Sequence, residues 1–384
     1  MRMGRWSGVV VALAATGLAC TGARTNVRPD HKVEEIRFEP IHVTGDPELE
    51  KLNDEELMAG GEAAYAAEDY KKAARYFGRL ADFFPDSRHR RAALYNAGLA
   101  HERVQEWEDA YMRFNELSDP EHGTGDALDA AFRVAETLYH LDRYDEAADL
   151  LHVIAERTDL GPNKRIEAQV QYGICTLEAG RAEEAESILR KALAMYNALE
   201  FKEEVDDYFP AQAQFFIGEI YRLRYESVQL DPLKGTDELA KDLEYKAELL
   251  LSAQGHYLRA IRMGNGQWAT AAGAQIGMLY ENLYEHMVSA PVPPELNAEE
   301  AEIYRQELRK KIRVLITKAI NVYERTLEAA ERIGAQNPFV ERTRQSLKKM
   351  KELLLADARS EEAETSGESS PPPAAGEPEA GPHS

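Results

Sequence analysis

The chain has 384 residues, with 46 lysines and arginines against 68 aspartates and glutamates, and a formal net charge of −22. So acidic a chain repels a polyphosphate backbone, which excludes free nucleic acid as a partner. Its two cysteines, Cys20 and Cys175, leave no disulfide to form if either is modified.

Met1 to Arg5 is a short basic segment, and Trp6 to Leu18 is an apolar run of thirteen residues. That run is too short to span a bilayer, which takes about 20 residues, and has the layout of a secretory signal. Gly17-Leu18-Ala19-Cys20 resembles the cleavage site of bacterial lipoproteins, with the leucine two residues before the cysteine instead of three. The resemblance implies that residues 1–19 are removed and that Cys20 carries lipid. Thr21 is not the aspartate that marks inner-membrane retention, so the implied address is the periplasmic face of the outer membrane. Ordinary cleavage near Ala23, leaving a soluble periplasmic protein, is the other reading. Residues 20–53 are polar and proline-punctuated, as expected of a flexible tether. Within them Ile36, Phe38, Ile41 and Val43 form a short apolar patch, either packed on the first repeat or offered as a strand to a partner's sheet edge.

From Asp54 to about Leu193 one pattern is written four times. Gly61, Gly98, Ala135 and Gly173 stand 37, 37 and 38 residues apart. An alanine follows each by twelve residues (Ala73, Ala110, Ala147, Ala185), and a large apolar group comes four later (Phe77, Phe114, Leu151, Leu189). A fixed period in this range marks a helical repeat array. In the first unit Leu57, Gly61 and Tyr65, then Tyr70, Ala73, Phe77 and Leu80, trace two amphipathic helices with a short break. The small residues fall where the two helices must approach closely. Tyr70, Trp107 and Tyr144 fill the space near each turn, and Pro85 stands where the second helix must stop.

These residues resemble the tetratricopeptide repeat family, whose pattern has a small residue, an alanine, an aromatic and a proline in this order. Gly61, Ala73, Phe77 and Pro85 match in the first unit, and Gly98, Ala110 and Phe114 in the second. The long period and Phe84-Pro85-Asp86-Ser87 at a junction resemble the subtype of bacterial envelope proteins. One of these is the repeat lipoprotein of the outer-membrane β-barrel assembly machinery. The resemblance implies an all-α, right-handed superhelical solenoid of helix hairpins over residues 54–200, with the first helices lining a concave surface. Carrying over the family's groove positions gives Met58, Glu62 and Tyr65, then Tyr95, Leu99 and Glu102, then Phe132, Glu136 and Tyr139, and finally Phe215 and Glu219. Rings among carboxylates suit an extended or helical peptide, the rings supplying area and the carboxylates choosing basic residues. The alternative is that the rings pack between neighbouring first helices. Of the family's clamp for a chain terminus only Asn96 is present, so that mode is not implied.

Residues 201–290 carry divergent repeats. Ala213, Phe216, Gly218 and Tyr221 resume a first-helix pattern after a loop that Pro210 ends, and Gly277 and Tyr280 resemble another. Leu239 to Met263 and Trp268 to Met287 are helical by pattern, with Gly264-Asn265-Gly266 as a turn. Ala290 to Pro294 is a break. Residues 291–356 are expected to form a C-terminal helical pair that caps the array. The first of these helices is capped by Asn297 with Glu300. Arg305 to Lys351 holds thirteen lysines and arginines against five glutamates. Arg309, Lys310, Lys311, Arg313, Lys348, Lys349 and Lys351 are its densest points. They form either a solvated face or a docking patch for an acidic partner, anionic lipid or polysaccharide. Residues 357–384 are acidic and proline-rich and are expected to be disordered.

No catalytic signature emerges. Gly264 to Ala269 fits a dinucleotide fingerprint but lies between helices, where that motif lacks its strand. There is no phosphate loop, His-Glu-x-x-His or Gly-x-Ser-x-Gly. Glu281, Glu285 and His286 share one helix and read as a solvated face rather than a metal site. His140 and His152 could share a helix pair, but two histidines twelve residues apart do not by themselves point to a metal. Cys175 reads as a small buried hydrophobe. The expectation is a scaffold or adaptor lipoprotein, with no catalysis, cofactor or metal, that joins proteins of an envelope complex. Outer-membrane assembly, secretion, pilus and gliding-motility machineries are the settings in view. The alternative is a cell-wall polymer hydrolase, or an accessory factor for a cell-wall enzyme. A hydrolase needs two carboxylates about 5 to 10 Å apart in a cleft.

Overall fold

The computed structural model describes residues 47–202, 205–231, 235–289, 292 and 296–366. The chain falls into two units, Met1–Glu50 and Lys51–Ser384, and all the α-helices named below lie in the second. The signal segment, Cys20, the apolar patch at Ile36 to Val43 and the stretch beyond Ser366 lie outside the described residues. So does the break at Ala290 to Pro294, apart from Val292.

Among the described residues there are thirteen α-helices and no strand. They are α1 Asp54–Ala66, α2 Tyr70–Phe83, α3 Arg90–Arg103, α4 Trp107–Leu117, α5 Asp126–His140, α6 Tyr144–Glu156 and α7 Pro162–Glu178. They continue as α8 Ala182–Asn197, α9 Tyr208–Ser227, α10 Thr236–Arg262, α11 Gly266–Ser289, α12 Ala298–Ile333 and α13 Pro338–Ser366. Consecutive helices pair as hairpins, and each second helix also packs against the first helix of the next hairpin. First helices touch one another directly as well, α3 on α5, α7 on α9, α9 on α11 and α11 on α13. They form the inner layer of an all-α solenoid of helix hairpins.

The recurring small residue explains how close each hairpin is. A Cβ placed on Gly61 would lie 2.5 Å from Phe77, on Gly98 2.6 Å from Phe114, and on Gly173 2.7 Å from Leu189. Carbon atoms in contact sit about 3.5 to 4.0 Å apart, so the second helix's ring or leucine rests on bare backbone. The same contact recurs beyond the regular repeats. Gly218 lies under Tyr257 at 2.6 Å and Gly277 under Tyr323 at 2.1 Å. Tyr257 and Tyr323 are fully buried, each four residues after an alanine, Ala253 and Ala319. Thus α9–α10 and α11–α12 are a fifth and a sixth hairpin of the same design.

The short turns are built alike. Glu68, Gln105, Asp142 and Gly180 occupy equivalent places and all have positive φ, 59°, 60°, 57° and 82°. Three of these four are side-chain-bearing residues in a backbone region that favours glycine. Helix starts follow the expected chemistry. Asn53 caps α1 through its side chain to the Glu56 amide at 2.9 Å, and Glu56 Oε2 accepts from the Asn53 amide at 2.9 Å. Asn297 and Glu300 do the same for α12, at 3.0 and 2.9 Å. Pro85 follows the end of α2, and Gly264, with φ +93°, turns the chain between α10 and α11.

Four expectations change. α12 packs along α11 as the second helix of the sixth hairpin as well as on α13, so α13 alone closes the array rather than the two helices together. Pro210 lies in the first turn of α9 instead of ending the loop before it, a place where its missing N–H costs nothing. α13 continues past Asp357 to Ser366, because Ala and Glu in that stretch favour helix. Glu281 is buried rather than solvated. It accepts from the Tyr323 hydroxyl at 2.7 Å and from Lys349 Nζ at 2.8 Å.

Candidate functional site

The inner face of the solenoid is where first helices present the same register of residues. On α1, Met58 and Tyr65 are half-buried and Glu62 is exposed. The Tyr65 ring meets Tyr70 edge-on at 5.1 Å, and its hydroxyl accepts from Arg103 Nε at 3.3 Å. On α3, Tyr95 packs edge-on against Phe114 at 5.5 Å, and Leu99 rests on the same cluster. These rings are both packing groups and wall, half in the core and half on the inner surface.

The face deepens between α5, α7 and α9 into a cavity of about 370 Å3. Phe132, Glu136 and Tyr139 of α5 line it. Glu167, Gln171 and Cys175 come from α7, and Tyr208, Gln212 and Phe216 from α9. Gln171 Nε2 donates to Gln212 Oε1 across the floor at 3.1 Å. The Tyr139 hydroxyl donates to Glu178 Oε1 at 3.4 Å, and burial pushes its pKa up to about 12. Cys175 is buried, as its pattern implied, and burial lifts its thiol to about 12, which keeps it a protonated, inert wall group.

Charge along this face is arranged in shared pairs. Arg133 reaches Glu136 at 2.8 Å and Glu102 at 3.5 Å. Lys164 reaches both Asp129 and Glu167 at 3.3 Å and lies over the Phe132 ring at 4.7 Å. Two cations therefore serve four carboxylates. The Glu102 side chain is only 12% exposed, its Oε1 is buried without a hydrogen-bond partner, and burial pushes its pKa up to about 7 against the pull of Arg133. Burial likewise raises the Glu167 pKa, with Lys164 opposing.

Two expected groove residues are not available. Phe215 is 5% exposed, enclosed by Tyr257 and Trp268 at ring distances of 5.5 and 5.0 Å. The neighbouring Phe216 takes its place on the cavity wall. Glu219 accepts from the Tyr257 hydroxyl at 2.5 Å and Gln275 Nε2 at 2.6 Å, and pairs with Arg222 at 2.8 Å. It is a structural hub. Glu167 and Gln212 were missed, although each stands six residues before the small residue of its hairpin, Gly173 and Gly218, one helical turn before the place of Met58, Tyr95 and Phe132.

The basic residues do not form one patch. Arg309, Lys310 and Lys311 are exposed on α12, and Arg313 is half-buried there. On α13, Lys348 is exposed, Lys349 is bound to Glu281 and Glu285 at 2.8 and 2.6 Å, and Lys351 pairs with Glu324 at 2.7 Å. That last pair puts Lys351 fourteen residues along α12 from Lys310, about 21 Å at helical rise. His140 stacks on Trp107 at 3.9 Å and His152 lies by Tyr172 at 5.1 Å, so the two histidines serve separate packing sites.

This architecture defines the molecule as a helical-repeat solenoid. Tetratricopeptide repeat profiles match residues 57–87 and 126–198. Over those residues the chain carries tetratricopeptide repeats. Similar solved structures include the apo form of RapI. It is 10% identical over 82% of this chain and 100% of that one, with a TM-score of 0.42. A MamA double mutant is 14% identical over 52% and 95%, with a TM-score of 0.34. A tetratricopeptide repeat protein from Parabacteroides merdae is 13% identical over 77% and 98%, with a TM-score of 0.34. No curated protein matches the chain.

Proposed function

We propose that the chain is a non-catalytic scaffold that holds an envelope partner on the inner face of its first helices. The observation that carries this reading is the cavity between α5, α7 and α9, walled by Phe132, Tyr139, Tyr208 and Phe216 and edged by Glu136 and Glu167. Rings give contact area at little entropic cost, and carboxylates select what may approach them. Glu136 and Glu167 are each engaged by a cation, Arg133 and Lys164. That arrangement suits recognition of charge more than acid–base chemistry.

The address proposed for this scaffold is the periplasmic face of the outer membrane, held by lipid on Cys20. The Gly17-Leu18-Ala19-Cys20 sequence after a basic and apolar leader supports it. No helix among the described residues is long and apolar enough to cross a membrane. The test is affinity capture with cross-linking from the envelope fraction, comparing wild type with Tyr95→Ala/Phe132→Ala. The reading expects one set of envelope proteins cross-linked near α1 to α9 and lost in the double variant. Persistence of the same partners, with cross-links clustered at Arg309 to Lys351, overturns it. Fractionation of Cys20→Ala tests the anchor, which predicts release from the membrane pellet.

A further inference from the structure

We infer that the cavity between α5, α7 and α9 seats a basic side chain, arginine or lysine, of a partner peptide. This rests on the scaffold reading and names the chemistry of its central contact. Three observations lead to it. The cavity, at about 370 Å3, is within the range of side-chain and small-ligand pockets. Among the described residues lining it, two are carboxylates and none is lysine or arginine. The carboxylates of the face outnumber their cations, because Arg133 is shared by Glu102 and Glu136 and Lys164 by Asp129 and Glu167. The buried Glu102 oxygen without a partner is a further sign of that deficit, one helix along.

The walls suit the same guest. A cation is attracted to the face of an aromatic ring, most strongly where water is excluded. Lys164 already demonstrates this on Phe132. Tyr139, Tyr208 and Phe216 offer ring surface to a guest's aliphatic stem, while Glu136 and Glu167 receive its charged head. A planar guanidinium matches carboxylates with two parallel hydrogen bonds. An acidic guest meets like charge, and a purely apolar one desolvates carboxylates whose cations, Arg133 and Lys164, are already shared with Glu102 and Asp129.

The experiment displays random dodecapeptides to the full chain and selects binders on wild type and on Glu136→Gln/Glu167→Gln, a near-isosteric pair of changes. Wild type is expected to enrich arginine or lysine at one fixed position beside apolar residues. A fluorescein-labelled copy of the leading peptide should lose about tenfold to a hundredfold in affinity on the variant. Changing its basic residue to norleucine should cost as much, with little further loss when both changes are combined. Glu136→Lys/Glu167→Lys should turn the preference toward aspartate or glutamate. Enriched peptides with no basic preference, lost on Phe132→Ala, overturn the inference and leave the inner-face scaffold standing. If no peptide is enriched on wild type, the inner-face reading itself fails and the inference with it.

Discussion

Replacing Gly98 with alanine tests whether the bare backbone under Phe114 sets the spacing of a hairpin. The added Cβ would sit 2.6 Å from two ring carbons of Phe114, about an ångström inside normal contact. Phe114 is fully buried and has nowhere to retreat. Overpacking of this kind costs about 1 to 3 kcal/mol, offset by about 1 kcal/mol from alanine's helix propensity. The single change should therefore lower stability by up to about 2 kcal/mol. Phe114→Leu alone leaves a void and should cost about 1 to 2 kcal/mol on the scale of core truncations. The double change recreates the Ala135 and Leu151 pair of the third hairpin, in which both side chains are buried. It should thus cost less than the sum of the singles by about 1 kcal/mol or more. Guanidinium unfolding followed by circular dichroism gives the four corners of the cycle. Hydrogen exchange in α3 and α4 shows whether the loss is local, as it should be in a repeat array. Additivity within about 0.5 kcal/mol would refute the reasoning.

Gly255→Ala is the control. Its Cβ would meet nothing closer than an Arg259 nitrogen at 3.8 Å, so it should stabilise α10 by about 0.5 to 1 kcal/mol in the same unfolding assay. Glu102→Gln should raise stability above about pH 7 and change little below about pH 4.5. Folding lifts the Glu102 pKa from 4.5 to about 7, so the folded state holds its proton longer and loses relative stability as pH rises through that window. Unfolding midpoints across pH check this, and a parallel wild-type and variant profile would count against it. His256 has the opposite sign. It is buried against Tyr221 and Gln214, and burial lowers its pKa to about 4. Its contribution is present above about pH 6.5 and lost as pH falls toward 4, and its ring proton should titrate near 4 by NMR. Tyr323→Phe leaves the buried Glu281 with Lys349 alone and should cost about 1 to 3 kcal/mol of stability.

The first four hairpins are legible because a constant sixteen residues separate each small residue from the group that covers it. Gly218 and Tyr257 are 39 apart, and Gly277 and Tyr323 are 46 apart, so periodicity alone loses them. The four-residue step from Ala253 to Tyr257 and from Ala319 to Tyr323 survives, and it is the signal that identifies α10 and α12 as second helices. At the site, Phe132, Glu136 and Tyr139 follow from helical register. Tyr208 does not, since it opens α9 a full turn before that helix's register positions begin. The exchange of Phe215 for Phe216 depends on which side Tyr257 and Trp268 close, a tertiary fact. Charge density has the same limit. Lys349 looks like part of a basic run until its partner Glu281, 68 residues away in sequence, is brought beside it.

The glycine under each ring also bears on how such a chain can grow. Each hairpin is registered at a pinned point, so material can be added at the end where its two helices connect without moving the pin. α2 has 14 residues, whereas α10 has 27 and α12 has 36, and no residue of α12 before Ile312 is buried. The extra turns of α12, bearing Arg309, Lys310 and Lys311, are thus an outgrowth on the repeated hairpin design. Shortening or exchanging that outgrowth should leave the inner face in register, which makes the two ends of each hairpin separate targets for engineering.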